Sequence, residues 1–265
     1  MTRFASLGSG SKGNGLVFQS GRSIVLLDCG FPVRETLSRL ARLGLEAADI
    51  SGIIVTHEHS DHAGGVFPLA RRFGIPVWMT FGTLHALQTE RSAAMQGPVV
   101  DGVTVHLLAG EAAVGIGDVM VTPYTVPHDA REPVQFVLSD GARRLGVLTD
   151  AGCRTTHIES HLDGCDALVL ETNHDLDMLR SGPYPAWLKD RVTGRLGHLD
   201  NATAAELLGV IDCSRLRHLV AAHLSEKNNT PALARAALVR SLGCDPDWLQ
   251  LATQDQGTGW MRLDA

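Results

Sequence analysis

Four metal-ligating side chains crowd into one short segment, residues 56–62, with the sequence THEHSDH. In an extended chain, residues i and i+2 point to the same side, so His57 and His59 are expected to hold one ion together. The turn that follows then presents Asp61 and His62 in a second direction. Imidazole and carboxylate ligands suit Zn, Mn or Fe(II). The segment therefore predicts a transition-metal site.

The residues on either side of this segment predict a strand before it and a helix after it. Residues 52–55, GIIV, are apolar and mostly β-branched, as in a buried strand, and apolar residues recur at helical spacing over 66–73. A ligand cluster on a strand-to-helix turn has this setting. The alternatives are a histidine-rich surface turn or a helix N-cap formed by Asp61.

The pattern His-x-His-x-Asp-His after a buried strand resembles the signature of the metallo-β-lactamase fold superfamily. The resemblance implies an α/β fold, a four-layer αββα sandwich in a single domain over residues 1–265, with further ligands at strand ends in the second half of the chain. His128, Asp150 and His223 each follow a predicted strand. They match, in order, the superfamily's third histidine, its bridging aspartate and its last histidine.

By this resemblance, the ligands form two sets bridged by one aspartate: His57, His59 and His128; Asp61, His62 and His223; and Asp150 between them. The expected cofactors are two divalent ions, Mn²⁺ or Zn²⁺, and such a pair activates water near neutral pH and polarises a phosphoryl oxygen. Asp61 is also expected to contribute to catalysis. The chain has 12 histidines, and His174, which also follows a strand, is the closest rival to His128 or His223.

Composition predicts an ordinary globular protein, with 44% hydrophobic and 20% charged residues. The formal charge is −6, so no overall basic field attracts nucleic acid, and any such binding must be local. The N-terminus shows no signal-peptide pattern, and no apolar run approaches the roughly 18 residues of a membrane span. The five cysteines are widely spaced and odd in number. Together these features predict a reduced, cytoplasmic protein.

A glycine-rich loop over residues 8–15, GSGSKGNG, follows the first predicted strand. Glycines let backbone N–H groups approach an anion, and a lysine adds positive charge. We expect Ser9, Ser11, Lys12 and Asn14 to contact a substrate phosphate. The alternative is an ordinary glycine-rich hairpin loop.

Asp28 ends a continuous apolar strand over residues 23–27. In this superfamily an acid at that place usually supports the histidine turn rather than binding metal, so we expect Asp28 to hold the motif in place. The alternative is a turn aspartate before Gly30.

An acid and a histidine in the second half resemble the nuclease branches of the superfamily. Glu171 follows the strand at 166–170, and His198 opens a predicted helix after the basic, linker-like stretch 180–197. In those branches the two residues assist at the leaving group. The alternative is that His198 only caps its own helix. Over its whole length the chain predicts roughly a dozen strands and six helices.

Several segments resemble one family more closely, the YycJ (WalJ) exonucleases. They are residues 7–14 (LGSGSKGN), 127–130 (PHDA), 171–175 (ETNHD) followed by 182–185 (GPYP), and 223–229 (HLSEKNN). That family implies metal-dependent 5′-to-3′ DNA exonucleases thought to act in DNA repair. The expected partners are DNA ends and DNA-repair proteins, with no membrane, and Lys227 and Asn228 are expected substrate contacts.

Two further expectations separate this chain from other nucleases of the fold. The region 81–118 looks too short for the tRNA-binding arm of RNase Z enzymes, and the segment between Asp150 and His198 looks too short for a β-CASP cap. Two other functions stay open. One is a small-molecule hydrolase, either a cyclic phosphodiesterase like the PhnP family or a thioesterase like glyoxalase II. The other is a non-catalytic binding module. The cations between residues 180 and 195 favour a polymer substrate.

Overall fold

The computed structural model describes residues 1–92 and 100–264. Within these residues, fourteen strands form two seven-stranded sheets that pack face to face. Helices cover the outer face of each sheet, and each interface between layers has its own apolar core. The predicted four-layer αββα sandwich is therefore confirmed.

The first sheet is built mainly from the first half of the chain. Its strands are β1 (Thr2–Gly8), β2 (Gly15–Ser20), β3 (Ser23–Leu27), β4 (Gly52–Ile54), β5 (Val77–Met79), β6 (Val105–Leu107) and β14 (Met261–Arg262), in the spatial order β14-β1-β2-β3-β4-β5-β6. Its outer helices are α1 (Val33–Arg42), α2 (Ser60–Ala63), α3 (Val66–Phe73) and α4 (Phe81–Ser92), with a short 3-10 helix at Ala47–Asp49.

The second sheet comes from the second half of the chain. Its strands are β7 (Val114–Ile116), β8 (Val119–Thr125), β9 (Val134–Ser139), β10 (Arg144–Leu148), β11 (Ala167–Glu171), β12 (His218–Ala222) and β13 (Gln250–Leu251), in the order β13-β12-β11-β10-β9-β8-β7. The helices of this half are α5 (Thr156–Leu162), α6 (Leu176–Ser181), α7 (Ala186–Thr193), α8 (Asn201–Leu208) and α9 (Pro231–Leu242).

Strand β3 shows why the central strands are apolar on both faces. Successive side chains of a strand point to opposite faces of the sheet. Ile24 and Leu26 therefore pack against the outer helices, whereas Val25 and Leu27 pack against the other sheet. A strand buried on both faces reads as a continuous apolar run rather than an alternating one. The sequence predicted this burial correctly.

The expectation of a linker at residues 180–197 was wrong, and so was the count of six helices. The stretch contains the whole of α7, which begins directly after Pro185. Proline is well suited to a helix start because its φ is already fixed near the helical value. Helix α7 has no fully buried residue, so it lacks the apolar periodicity that predicts a helix. Helix α2, with four residues, and α6, with six, are too short to show that periodicity.

Helices and strands occupy the two regions in which the sequence predicts neither an arm nor a cap. Helix α4 and strands β6 and β7 lie in the region 81–118, although residues 93–99 of that region lie outside the described residues. Between Asp150 and His198 the chain forms α5, β11, α6 and α7.

Across residues 1–92 and 100–264, none of the helices has the length and apolar character needed to cross a membrane.

Candidate metal centre

Parallel pairing places three acidic and imidazole side chains at one edge of the second sheet. Strands β10, β11 and β12 are adjacent and parallel, with Leu148 opposite Leu170 and Glu171 opposite Ala222. The carboxyl ends of parallel strands meet at the same edge, where sites of α/β proteins commonly form. Asp150, Glu171 and His223 stand at these three ends and therefore lie close together.

The first sheet contributes the other half of the site in the same way. Strands β3 and β4 are parallel, with Leu27 opposite Ile54, so Asp28 and the segment 56–62 leave the sheet side by side. A Cβ atom at Gly30 would lie 1.7 Å from the carbonyl oxygen of Asp61. Only glycine permits this approach, so Gly30 lets the loop after β3 pack directly against the motif.

The first predicted ligand set comes together in the structure. The ligand atoms of His57, His59 and His128 all lie within 4.8 Å of one another. The ring centroids of His57 and His128 are 5.0 Å apart, and Nδ1 of His59 lies 3.4 Å from Nε2 of His128. Three imidazoles therefore face one point, although they come from different sheets.

The second predicted set also comes together, with Asp150 between the two. Oδ2 of Asp61 lies 3.6 Å from Nε2 of both His62 and His223. Oδ2 of Asp150 lies 3.0 Å from Nε2 of His62, and its Oδ1 lies 4.0 Å from Nε2 of His128. Asp150 thus reaches toward both sets, which is the position that a bridging ligand needs. We call the residues of the two sets together with Asp150 the strand-end cluster; its seven members are His57, His59, Asp61, His62, His128, Asp150 and His223.

Hydrogen bonds leave the correct ring nitrogens free for metal. His57 donates from Nδ1 to the Thr56 hydroxyl at 2.9 Å, and His128 donates from Nδ1 to the Gly197 carbonyl at 3.1 Å. In each ring Nε2 then carries a lone pair. Burial, reinforced for His57 by the charge of His62, lowers the pKa of both rings. Both are therefore neutral, which is the form that binds a metal ion.

Several buried polar atoms of the cluster have no partner among the described residues. Nε2 of His57, Nε2 of His223 and Oδ2 of Asp150 are shielded from solvent and make no hydrogen bond of acceptable geometry. Each unsatisfied buried group costs about 1–3 kcal/mol. Divalent cations held by the two ligand sets would satisfy all three atoms, and imidazoles with carboxylates are ligands that Zn²⁺ or Mn²⁺ accepts. The strand-end cluster therefore fits divalent metal.

The electrostatics of the second set favour a positive charge. Burial opposes protonation of His62 and His223, but neighbouring carboxylates outweigh it and raise both pKa values, that of His223 to about 10. Asp150 contributes most to the rise at both histidines. Carboxylates that stabilise a protonated imidazole this strongly also stabilise a bound metal ion.

The backbone is strained where the ligands leave their strands. Within the part of the chain that the structure describes, the non-glycine residues with positive φ are Asp28 at 58°, Asp150 at 52° and His223 at 55°. Left-handed backbone is unfavourable for residues with a Cβ, and such strain concentrates at functional sites. All three residues belong to the strand-end cluster or support it.

Asp28, which the sequence assigned a supporting role, is hydrogen-bonded to the motif. Its Oδ2 accepts hydrogen bonds from Nδ1 of His62 at 2.7 Å and from the Thr56 hydroxyl at 2.9 Å. Its Oδ1 accepts the backbone N–H of Thr56 at 2.9 Å. Asp28 is thus tied to protein donors, and it fixes the His62 ring with Nε2 directed at the cluster. A carboxylate in this position also makes the imidazole a better ligand.

Replacing Asp28 by asparagine is expected to weaken metal affinity by about 10–100-fold, because the amide cannot hold the His62 ring with the same charge. Metal affinity should be measured by competition with a chelator. Thr56→Val, which removes the hydroxyl donor but keeps the side-chain volume, should cause a smaller loss. Wild-type affinity in Asp28→Asn would contradict the supporting role.

Glu171, which is buried, and His198, which is partly exposed, form a pair beside the cluster. His198 donates from Nδ1 to Oε1 of Glu171 at 2.8 Å, and Oε2 of Glu171 accepts the backbone N–H groups of Ala151 and Leu199. Burial opposes ionisation of Glu171, but the charge of His198 and this hydrogen bond lower its pKa to about 2. In turn, Glu171 outweighs burial and raises the pKa of His198. The pair can hold a protonated imidazole at the site.

The expectation that His198 opens a helix was wrong. Helix α8 begins at Asn201, and Asp200 caps it by accepting the N–H groups of Ala202 and Thr203. His198 therefore neither caps the helix nor lies at its positive end. Its position depends instead on a hydrogen bond from its own N–H to the Val192 carbonyl at the end of α7.

The glycine-rich loop mainly supports the cluster. Ser9 and Asn14 are buried; Ser9 Oγ accepts the N–H of His223, and Asn14 Nδ2 lies 3.0 Å from Nε2 of His62. Their predicted phosphate contacts stay predictions, since both side chains already have protein partners. Ser11 lines the cleft, and Lys12 forms an ion pair with Glu226 at 2.7 Å.

A cleft opens over the strand-end cluster and His198. Its other walls are formed by the turn before α7 and by α7 itself, by Ser11, and by the segment 224–228. Lys227 and Asn228, the expected substrate contacts, line this cleft, and their contact with substrate stays a prediction. The sequence placed Tyr184 in a family segment and Arg191 in a basic stretch but named neither as a site residue, because their place on this wall depends on α7. The sequence signal that could have pointed to Tyr184 was the GPYP segment at residues 182–185.

Among the described residues, His174 belongs to none of the groups that could hold a metal ion, although the sequence made it a rival to His128 or His223. It is buried, and its Nδ1 lies 3.3 Å from Oδ1 of Asn173. Asn173, which sequence reasoning did not single out, donates to the His223 carbonyl at 2.9 Å. The segment after β11 therefore helps to position His223.

An αββα sandwich with histidine and aspartate ligands at the edge between its sheets defines the metallo-β-lactamase fold class. A family model described as "Beta-lactamase superfamily domain" matches residues 24–223. The exodeoxyribonuclease YycJ of Bacillus anthracis is 34% identical over 239 residues, covering 90% of this chain and 88% of that protein. The exodeoxyribonuclease WalJ of Streptococcus pneumoniae is 30% identical over 257 residues, covering 97% and 91%. The chain belongs to this superfamily and, within it, to the family of the YycJ and WalJ proteins.

Solved structures agree on the fold. The Zn²⁺-bound PqqB protein of Methylobacterium extorquens superposes with a TM-score of 0.73 at 18% identity, covering 98% of this chain and 99% of that one. At this identity the likeness concerns the fold alone.

Proposed function

We propose that the chain is a metal-dependent exodeoxyribonuclease that uses two divalent ions, Mn²⁺ or Zn²⁺, and digests DNA from a 5′ end. One observation carries the proposal: the two ligand sets joined by Asp150 lie beside the His198–Glu171 pair. The relatives named as exodeoxyribonucleases, of which this chain covers about nine-tenths, support DNA as the substrate.

Different residues serve the metal chemistry and the proton chemistry: the strand-end cluster would hold the metal ions, and His198 would supply the proton. When bound by the strand-end cluster, two divalent ions would supply Lewis-acid activation of water and of the phosphoryl oxygen. Breaking the phosphodiester expels a 3′-alkoxide, a poor leaving group unless it receives a proton. His198 lines the cleft and is held by Glu171 in its protonated form. We assign it as the proton donor to the departing oxygen.

The cleft wall supports a nucleic-acid substrate. Nζ of Lys227 lies 5.8 Å from the centre of the Tyr184 ring, over its face. In contrast, Arg191 and Lys12 are paired with carboxylates, at 2.6 Å and 2.7 Å. An aromatic ring beside a cation can stack on a base while the cation contacts a phosphate.

The substrate is tested by incubating the protein with 5′- and 3′-end-labelled DNA, with Mn²⁺, Zn²⁺ or a chelator. Metal-dependent release of nucleotides from the 5′ end is expected. Hydrolysis of cyclic nucleotides or thioesters with intact DNA would favour the small-molecule hydrolase, and inertness toward every substrate with bound metal would favour the binding module.

DNA digestion should fall with added salt, because cations that contact phosphates release counterions. A plot of the logarithm of DNA affinity against the logarithm of salt concentration has a slope that counts these contacts. In Lys227→Ala the magnitude of this slope should fall by about 1, whereas Lys189→Ala, outside the cleft, should leave it unchanged.

We place the protein in the cytoplasm, as one domain without arm or cap, with a role in DNA repair. The support is that all five cysteines are free, and that the strands of both halves share one central core in the described residues. The repair role depends on the family resemblance.

A further inference from the structure

Three metal-ligating side chains meet at a place separate from the strand-end cluster. Glu111 lies on the turn between β6 and β7, where the chain crosses from the first sheet to the second. His157 and His161 lie one turn apart on α5 and therefore share one face of the helix. One ligand atom from each of the three residues lies within 4.8 Å of the others. Sequence spacing alone does not connect Glu111 with the two histidines.

His161 is held in the tautomer that binds metal. Its Nδ1 lies 2.9 Å from the carbonyl oxygen of His157, and a carbonyl only accepts, so Nδ1 carries the proton. Nε2 then has a free lone pair in the neutral ring; it lies 4.0 Å from Oε2 of Glu111. Tyr124 stacks on the ring at 4.9 Å and 17°, and its hydroxyl is fixed to the Val147 carbonyl. The imidazole is therefore oriented before any ion arrives.

His157 and Glu111 approach each other closely without forming a regular hydrogen bond. Its Nε2 is 2.6 Å from Oε1 of Glu111, but among the described residues this shielded nitrogen has no partner in hydrogen-bond geometry. An N–H···O bond needs the hydrogen to point at the acceptor. Nε2 of His157 and Oε1 of Glu111 thus lie close together without a regular hydrogen bond, and a cation that both atoms bind would satisfy them.

We propose that Glu111, His157 and His161 bind one divalent transition-metal ion of the Zn²⁺ class, outside the strand-end cluster. Two imidazoles and one carboxylate suit Zn²⁺, Co²⁺ or Ni²⁺ better than Mg²⁺ or Ca²⁺, which prefer oxygen ligands. Glu111 is 41% exposed and His157 37% exposed, so water completes the coordination shell.

The position of the three residues indicates what the ion does. It joins the turn that connects the two sheets to α5, whose Ile158 and Leu162 pack on the outer face of the second sheet. Helix α5 begins shortly after the loop that carries Asp150. The ion therefore fastens the crossover between the sheets to the helix that follows this loop.

Metal content measures the site directly. Wild-type protein, His157→Ala, His161→Ala and Glu111→Ala are dialysed against the same buffered free Zn²⁺ and analysed for zinc per chain. Each variant should hold one equivalent less than wild type. His85→Ala, which removes an exposed histidine from α4, should hold the wild-type amount. Replacing Zn²⁺ by Co²⁺ should give a visible absorption component that the three variants lack.

Glu111→Ala decides the matter if a histidine variant folds poorly, because Glu111 lies on an exposed turn outside the core. Loss of one zinc equivalent in this variant supports the site. Wild-type zinc content in Glu111→Ala, or in either histidine variant, overturns it. DNA digestion should be unchanged in all three, so failure of this site is distinguishable from failure of the proposed nuclease function.

Discussion

Asp150→Asn is expected to lose at least one of the two metal ions and almost all nuclease activity. Asp150 is buried, and its two oxygens lie between the two ligand sets, 3.0 Å from Nε2 of His62 and 4.0 Å from Nε2 of His128. A neutral amide cannot bridge two cations or offset their charge. The loss in activity should exceed the roughly 10–100-fold that follows removal of an outer hydrogen-bond partner of a ligand.

Asparagine is the appropriate replacement because Asp150 has a φ of 52°, a backbone conformation that asparagine tolerates better than alanine does. The thermal melting temperature of the metal-free variant should therefore stay near that of the metal-free wild type. Asp177→Asn, a change at a fully exposed acid on α6, serves as the matched control. Full metal occupancy in Asp150→Asn by elemental analysis would show that the bridge is assigned to the wrong residue.

His198→Gln is expected to lower kcat on DNA by about 10²–10⁴-fold while both metal ions and the melting temperature are retained. His198 lies outside the two ligand sets, and its side chain is 23% exposed toward the cleft. Its proposed task is to protonate the leaving 3′-oxygen. Glutamine keeps much of the side-chain volume but has no proton to transfer.

The leaving group separates proton donation from a merely structural role. A thymidine 5′-phosphate esterified with p-nitrophenol expels a phenolate that needs no proton, so His198→Gln should lose far less activity on this ester than on DNA. Glu171→Gln should show the same pattern in weaker form, since Glu171 acts through His198. An equal loss on both substrates, or a loss of metal in His198→Gln, would refute the proton-donor assignment.

Local sequence predicted the histidine motif and the strand ends, and the resemblance to a known family supplied the architecture and the proposed role of each strand-end residue. The residues of the motif from His57 to His62 are adjacent, so their directions follow from the strand and turn that carry them. Asp150 and His223 were predictable because each follows an apolar run that reads as a buried strand, and parallel strands bring such ends to one edge. The resemblance to a known family then supplied the order in which the ligands combine.

Only the tertiary structure decided which residues from distant elements face one another. The turn that carries Glu111 meets α5 because β7 and β8 continue one sheet beside β9 and β10, and no local spacing encodes that contact. The same holds for Tyr184 on the cleft wall, since α7 buries no residue fully and has little apolar periodicity. Sequence periodicity reports which side of an element is apolar, whereas the packing of whole elements determines which polar groups meet across it.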